Sequence, residues 1–314
     1  MGERTDEAEV LRALHREVAA VREGPTLAAG LVHAGLVVLA VAAWRAGLTV
    51  ALPPLWVALA WSSHAALVRL HEAVHRMLSP SRVRNELHGI LIGTLAWTPM
   101  SVYRHVHARH HAYLGRPADP EFRPYSLTAA PLWLRRGYAW TELIAGAVFT
   151  PALYTWRTLA AWSELRPGVR RRLLSELLVL LAFWAALVQL VTVHGWWPEF
   201  AVAHLVPAWL AGVLQTVRKF TEHLGMHGDS IPSMTRWVEH RRWPGRILSR
   251  SQLFVDHHGT HHRWPRIPWF ALPNATPLAR RDVGPPFPAY LPAVRDALRH
   301  LRDPRVGPQW RMPR

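Results

Sequence analysis

The chain contains no cysteine among its 314 residues. Disulfides, thiolate zinc sites, Cys-ligated iron–sulfur clusters and cysteine nucleophiles are excluded together. Acidic residues are scarce, with 21 Asp+Glu against 37 Lys+Arg. Internal repeats and low-complexity linkers are absent, and with hydrophobic residues at 50% a largely disordered chain is excluded. The basic excess by itself would point to nucleic acid or to an anionic surface. What the sequence has in abundance is histidine, 20 residues, and tryptophan, 17 residues. Histidine is the commonest transition-metal ligand. Tryptophan favours membrane–water boundaries.

Four stretches are long and apolar enough to cross a bilayer, which takes roughly 20 residues. They are residues 27–44, 48–68, 177–193 and 201–217, each without Asp, Glu, Lys or Arg. Short turns join them in pairs, Arg45–Gly47 and His194–Glu199, so they read as two helical hairpins. The first stretch follows 25 polar, mixed-charge residues that read as a short cytosolic helix, Glu7 to Glu23, and is not a cleaved signal peptide. Apart from Arg45, every Lys and Arg falls on one side of this arrangement. That is the positive-inside pattern, and it places that side and both termini in the cytoplasm. The charge therefore needs no nucleic-acid partner. The run Leu87 to Met100 is short for a span and reads as interfacial or re-entrant. Tyr138 to Trp156, interrupted by Glu142 and Pro151, reads as an interfacial helix. Residues 276–314 form a cytosolic tail, rich in Pro and Arg, with a helix near Tyr290 to Leu301.

Most of the histidines cluster. His71 and His75, just after the second span, lie four apart, which puts both rings on one face of a helix. His107, His110 and His111 follow the spacing H-x-x-H-H, and so do His258, His261 and His262. His223 follows the fourth span. At this histidine content one H-x-x-H-H is expected about 0.1 times by chance, so two copies beside an H-x-x-x-H carry real information. With two hairpins all four clusters leave the membrane on the same side. Nine imidazoles are too many for one metal and suit two. Imidazole fits iron, copper, zinc or nickel. Iron can handle dioxygen, whereas zinc is redox-inert. A carboxylate-bridged di-iron bundle needs two Glu-x-x-His pairs, and only Glu72–His75 is present.

At these residues the sequence resembles the integral-membrane fatty acid desaturase/hydroxylase superfamily. The likeness rests on the three boxes in their order, on Arg104, the stretch from His111 to Gly115, Asp119 to Glu121, and the stretch from His258 to Trp269. It covers roughly residues 27–275, so residues 26–275 read as one membrane domain. The resemblance implies an all-α integral membrane protein whose four spans carry a cytosolic helical cap bearing the boxes. It implies two non-haem iron ions held by His71, His75, His107, His110, His111, His223, His258, His261 and His262. It further implies O2 as co-substrate, a fatty acyl or other lipid substrate, and a separate electron donor of ferredoxin, flavodoxin or cytochrome b5 type. A His-Pro-Gly-Gly haem signature is missing, so no cytochrome b5-like donor is fused to the chain. The short first box occurs in desaturase, hydroxylase and carotenoid-modifying branches alike. Acyl desaturation is ranked first; lipid, alkane or carotenoid hydroxylation or ketone formation is the alternative.

Metal-bound histidine usually gives its second nitrogen to a carboxylate or carbonyl, and Glu72, Asp119, Glu222 and Asp256 are the candidates for that task. His105 and His257 sit beside boxes but off the spacing and read as supporting residues. His64 is either a polar group on the substrate path or a packing residue, and His88 and His227 read as structural. Arg104, Arg109 and Arg263 read as anchors at the inner leaflet rather than as a head-group or donor site. His71-Glu72-x-x-His75 is also the zinc-protease pattern H-E-x-x-H. That reading leaves six clustered imidazoles unused. A metal transporter would carry its ligands at mid-membrane, not beyond the spans.

Overall fold

A computed structural model describes residues 24–240, 242–280 and 284–311. The expected helix at Glu7 to Glu23 lies outside them. The described part is helical, with one isolated bridge pair, Val238 and Phe287. Its elements are α1 (Gly24–Arg45), α2 (Thr49–Val74), α3 (Arg82–Leu95), α4 (Met100–Tyr113), α5 (Leu132–Ala160), α6 (Pro167–His194), α7 (Trp197–His223), α8 (Trp243–Ser251), α9 (His258–Arg263), α10 (Leu272–Ala279) and α11 (Tyr290–Arg299). Among the described residues α1, α2, α6 and α7 are the helices long and apolar enough to cross a membrane.

Local chemistry sets the ends of these helices. Gly47 takes φ +72° in the turn between α1 and α2, a left-handed angle that glycine adopts without strain. Prolines at the first helical positions open the main run of α2 and begin α6, where their missing N–H costs nothing. Gly195 closes α6 in the left-handed region at φ +66°. The two hairpin turns meet, because Arg45 Nε lies 3.1 Å from Glu199 Oε1. They therefore occupy one end of the bundle, opposite the nine clustered histidines. Val32, Val38, Leu178 and Leu181 are exposed on α1 and α6, as lipid-facing residues would be.

α3 has 14 residues, too few to span. Val83, Leu87, Leu91 and Leu95 are exposed at four-residue intervals along it, the apolar stripe of an interfacial helix. α5 runs for 29 residues with Pro151 inside it and leaves helical angles at Ala145 (φ −117°, ψ 17°). It crosses α7 where Gly146 faces Gly212. A Cβ added at Gly212 would lie 2.4 Å from the Ala147 nitrogen, and one at Gly146 would lie 2.6 Å from Thr216 Oγ1. Only glycine permits that approach. Beside the crossing, Thr216 Oγ1 donates to the Glu142 carbonyl at 2.8 Å and Lys219 pairs with the Glu142 carboxylate at 2.9 Å.

α7 is not uniform. Residues Ala201–Leu205 form a π turn, in which the Val206 N–H reaches back five residues to the Ala201 carbonyl. In that register the Val202 carbonyl would pair with residue 207, a proline without an N–H. Trp56 Nε1 donates to it instead at 3.0 Å. Two more indoles pin helices in the same way, Trp184 to the Thr94 carbonyl at 2.9 Å and Trp209 to the Ile144 carbonyl at 2.7 Å. These tryptophans are hydrogen-bonded fasteners rather than packing or belt residues alone. The tail returns to the core, with Arg135 Nη1 at 2.5 Å from Asp303 Oδ1. α11 and the 3₁₀ turn His300–Arg302 occupy the position expected for the tail helix.

Candidate metal centre

Helical hydrogen bonding carries α2 past the apolar segment that ends at Val68. It delivers His71 inside the helix and His75 at its C-cap. Arg104 fastens that end, donating to the Ala73 and Val74 carbonyls at 3.3 Å each while its guanidinium forks onto Glu86 at 2.8 and 3.0 Å. Arg104 is thus a helix clamp. Arg109 pairs with Glu164 at 3.2 Å, and Arg263 lies over the Trp264 ring and donates to the Ala279 carbonyl. α4 begins at Pro99, which has no capping side chain. Glu176 of α6 supplies the cap, accepting from the Ser101 N–H and hydroxyl at 2.7 Å each. A carboxylate at a helix N-terminus is favoured by the exposed N–H groups and the helix dipole. α9 is a single short helix. Gly259 sits against Trp237, where a Cβ would come within 2.4 Å of the ring. Thr260 holds α9 to α10 through Thr276 at 2.7 Å.

These elements bring the nine box imidazoles into two groups. His71, His75, His107, His111 and His261 form one, and His110, His223, His258 and His262 form the other; within each group the ligand atoms lie within 4.8 Å of one another. In the second group Nε2 faces Nε2 at 3.2 Å for His110 and His262, 2.9 Å for His262 and His258, and 2.9 Å for His258 and His223. In the first, His107 and His111 stand 3.0 Å apart and His111 and His261 3.2 Å. Two imidazoles on one metal, at metal–nitrogen distances of about 2.1 Å, would stand roughly 3.0–3.4 Å apart.

The other ring nitrogens set the tautomers. His107 Nδ1 donates to Glu121 at 2.8 Å, His110 Nδ1 to Asp119 at 2.9 Å, His223 Nδ1 to the Met234 carbonyl at 2.9 Å, and His71 Nδ1 to Glu72 at 3.2 Å. A proton committed to Nδ1 leaves the Nε2 lone pair for a metal. Lone pairs facing one another at 3 Å repel unless a cation lies between them. His71 Nε2 and His75 Nε2 are buried without a hydrogen-bond partner, while both rings lie within 4.5 Å, centroid to centroid, of His261. The residues present therefore fit a pair of metal ions.

Of the carboxylates expected to support the ligands, Glu72 and Asp119 bond ligand imidazoles, and Glu222 lies 3.4 Å from His258 Nδ1. Asp256 does not take that place. It accepts from Ser249 Oγ at 2.5 Å and sits 3.5 Å from His240, because α9 starts two residues later and turns its histidines away. Glu121 is the residue that sequence reasoning passed over. It bonds His107 and accepts from the Tyr154 hydroxyl at 3.2 Å. Its signal was its place in the Asp119-Pro-Glu turn, where the Asp119 carboxylate takes the Glu121 N–H at 2.9 Å. His105 and His257 fall outside both groups, and His257 bonds Thr276 at 2.7 Å. His64 bonds Gln252 at 2.9 Å, a packing role.

Burial drives the pKa values of His75, His111, His258, His261 and His262 well below the usual histidine value, and their mutual proximity adds to this. Burial also lowers His107, against the opposing pull of Glu121. For His110 burial opposes the charged form, but Asp119 and Glu121 outweigh it and raise the pKa. Burial would raise the Glu121 carboxyl, yet His110, His107 and Lys219 hold it far below the carboxylate range. Neutral imidazoles are the form that binds metal. A cavity of about 750 Å³ reaches the centre from between the spans, with His107, His110, His223 and His258 at its wall and Leu31 and Leu67 among its apolar lining.

The profile of the family described as fatty acid desaturase matches residues 46–293. The chain is 25% identical over 229 residues to a dihydrorhizobitoxine desaturase of Bradyrhizobium elkanii, covering 68% of this chain and 63% of that protein. It is 24% identical over 226 residues to a zeaxanthin 4-ketolase of Chlamydomonas reinhardtii, covering 68% of this chain and 41% of that protein. The chain thus spans less than two thirds of the length of either relative.

Proposed function

Because the chain belongs to the fatty acid desaturase family, we propose that it is a membrane-bound, O2-dependent di-iron oxidase that inserts a double bond into a fatty acyl or related lipid chain. The observation that carries this reading is the partition of nine convergent imidazoles into groups of five and four, at the wall of an apolar cavity between the spans. The alternative on the same scaffold is oxygen insertion, as lipid, alkane or carotenoid hydroxylation or ketone formation. The ketolase among the relatives supports it.

Bound iron would supply the oxidising power that an unactivated methylene demands, and the protein supplies ligands, orientation and dryness. In the first group His71, His75, His107, His111 and His261 would hold one ion; in the second His110, His223, His258 and His262 would hold the other. Glu121 and Asp119 keep the protons of His107 and His110 on Nδ1. Tyr154 steadies Glu121 from the cavity side. The apolar walls seat the chain and exclude water. Desaturation takes two electrons and two protons from the substrate and two of each from outside, reducing O2 to two waters. The outside electrons require a separate donor of ferredoxin, flavodoxin or cytochrome b5 type. The basic face around the histidines suits an acidic donor. The charge asymmetry of the loops supports a cytoplasmic histidine face with both termini on that side, and residues 26–275 as the membrane domain with 276–314 as a tail.

The test is iron per chain in detergent-purified protein, together with lipid products in a host that expresses the gene. Two ions, lost when His110, His111, His261 and His262 become Ala, and a new alkene in the host lipids are expected. One zinc that survives those substitutions overturns the reading. A new alcohol or ketone moves it to the alternative.

A further inference from the structure

Three polar side chains line the part of the cavity that lies between the membrane-spanning segments. His33 of α1, Ser62 of α2 and His204 of α7 all line it. Each lies at least seven residues inside the ends of its span. Ionisable side chains at such depth are costly and mark substrate or ion paths. His33 Nδ1 and Ser62 Oγ stand 3.2 Å apart. That bond alone could be polar glue between α1 and α2. His204 cannot be explained so. It makes no hydrogen bond among the described residues; its neighbours are the faces of Phe200 and Trp184, with centroids at 5.2 Å each. It sits in the π turn Ala201–Leu205, and such turns recur at functional sites because they re-aim a side chain. The register of that turn is kept by Trp56, as described above. The π turn packs against α1, which carries His33, and His33 has only one nitrogen engaged. Several ring nitrogens and a hydroxyl thus line a cavity whose surface is mostly apolar. On α2, Ser62 is nine residues before His71, about 13 Å at 1.5 Å per residue.

We propose that His33, Ser62 and His204 form a subsite for an oxygen atom, a hydroxyl or carbonyl, carried by the lipid substrate at a distance from the carbon to be oxidised. This rests on the lipid-oxidase reading and narrows it from plain hydrocarbon chains to oxygenated ones. Imidazole both donates and accepts, so the subsite takes either group. A buried polar group left unpaired is penalised, so an unsubstituted chain at this place leaves His204 unsatisfied and binds less tightly.

The experiment is equilibrium binding to the metal-loaded, detergent-purified protein. The probes are ω-hydroxy acids from decanoate to octadecanoate, each against the plain acid of the same length. At one length the wild type is expected to prefer the hydroxy acid by roughly three- to tenfold, the worth of one net hydrogen bond. In the His33→Leu/His204→Leu protein that ratio falls to one, whereas His204→Gln keeps part of it. A wild type with no preference at any length overturns the subsite while leaving the lipid reading intact, and it needs no variant to fold. A preference that survives in the double variant overturns it too. Binding of neither series overturns both readings.

Discussion

His110 and His262 stand 152 positions apart in the chain, and their Nε2 atoms face one another at 3.2 Å. Both belong to the group of four, and neither belongs to the group of five. Replacing both by Ala is therefore expected to remove one ion and leave the other. Elemental analysis of the purified variant would read one metal per chain in place of two. Loss of both ions would mean that the groups are not separate sites.

Glu121 should matter to metal retention although it belongs to neither group of ligands. Glu121→Gln removes the charge that orients His107 and supports His110, while keeping the side chain's size. Loss of such a supporting partner typically weakens metal affinity 10- to 100-fold. Competition with a chelator would show the metal leaving at lower chelator concentration, with the helical circular dichroism unchanged. Asp256→Asn, by contrast, is expected to leave metal affinity near wild type, because Asp256 bonds Ser249 and not a ligand.

The metal-free protein is expected to lose stability in mild acid. His75, His111, His258, His261 and His262 have folded-state pKa values below the usual histidine value of 6.5. Above that value both states carry neutral rings, and the stability is whole. As the pH falls below it the unfolded chain takes up protons that the fold refuses, so stability drops. His110, with its raised pKa, works in the opposite direction but is outnumbered. Thermal unfolding of chelator-treated protein between neutrality and pH 5 should show a falling Tm. A flat or rising Tm would contradict the burial of these rings.

Gly212→Ala tests the crossing of α5 and α7. The new methyl would meet the Ala147 backbone at 2.4 Å, which a helix can relieve only by moving. Overpacking of this kind costs about 1–3 kcal/mol. A lowered Tm is expected. Because Gly146, Ala147 and Gly212 also line the cavity, a changed preference for substrate length is expected with it.

Much of this was legible in the sequence, and the reasons are local. The four spans declare themselves because an uncharged apolar run of that length has few other uses. Eight of the nine imidazoles declare themselves because their spacing repeats the helical period, and His223 stands alone after the fourth span. Contacts made across turns were less legible. Asp256 is two residues from His258 in sequence, yet the start of α9 turns the box away from it. Glu121 lies ten residues beyond the second box and returns only because the chain bends back at Asp119. The π turn at Ala201 leaves no trace in hydropathy, which is blind to hydrogen-bond register. Pro207 was its one outward sign.

The pairing of Arg45 with Glu199 has a further consequence. It holds the two hairpin turns together as a single small knob at one end of the bundle. A membrane-impermeant reagent, antibody or protease applied from the knob side would find two loops of a few residues and little to grip. Applied from the other side it would meet the loops between α2 and α6, the stretch from α7 to α11 and the tail. On the proposed topology little of the described chain would be offered to one compartment, and a docking protein would approach from the other.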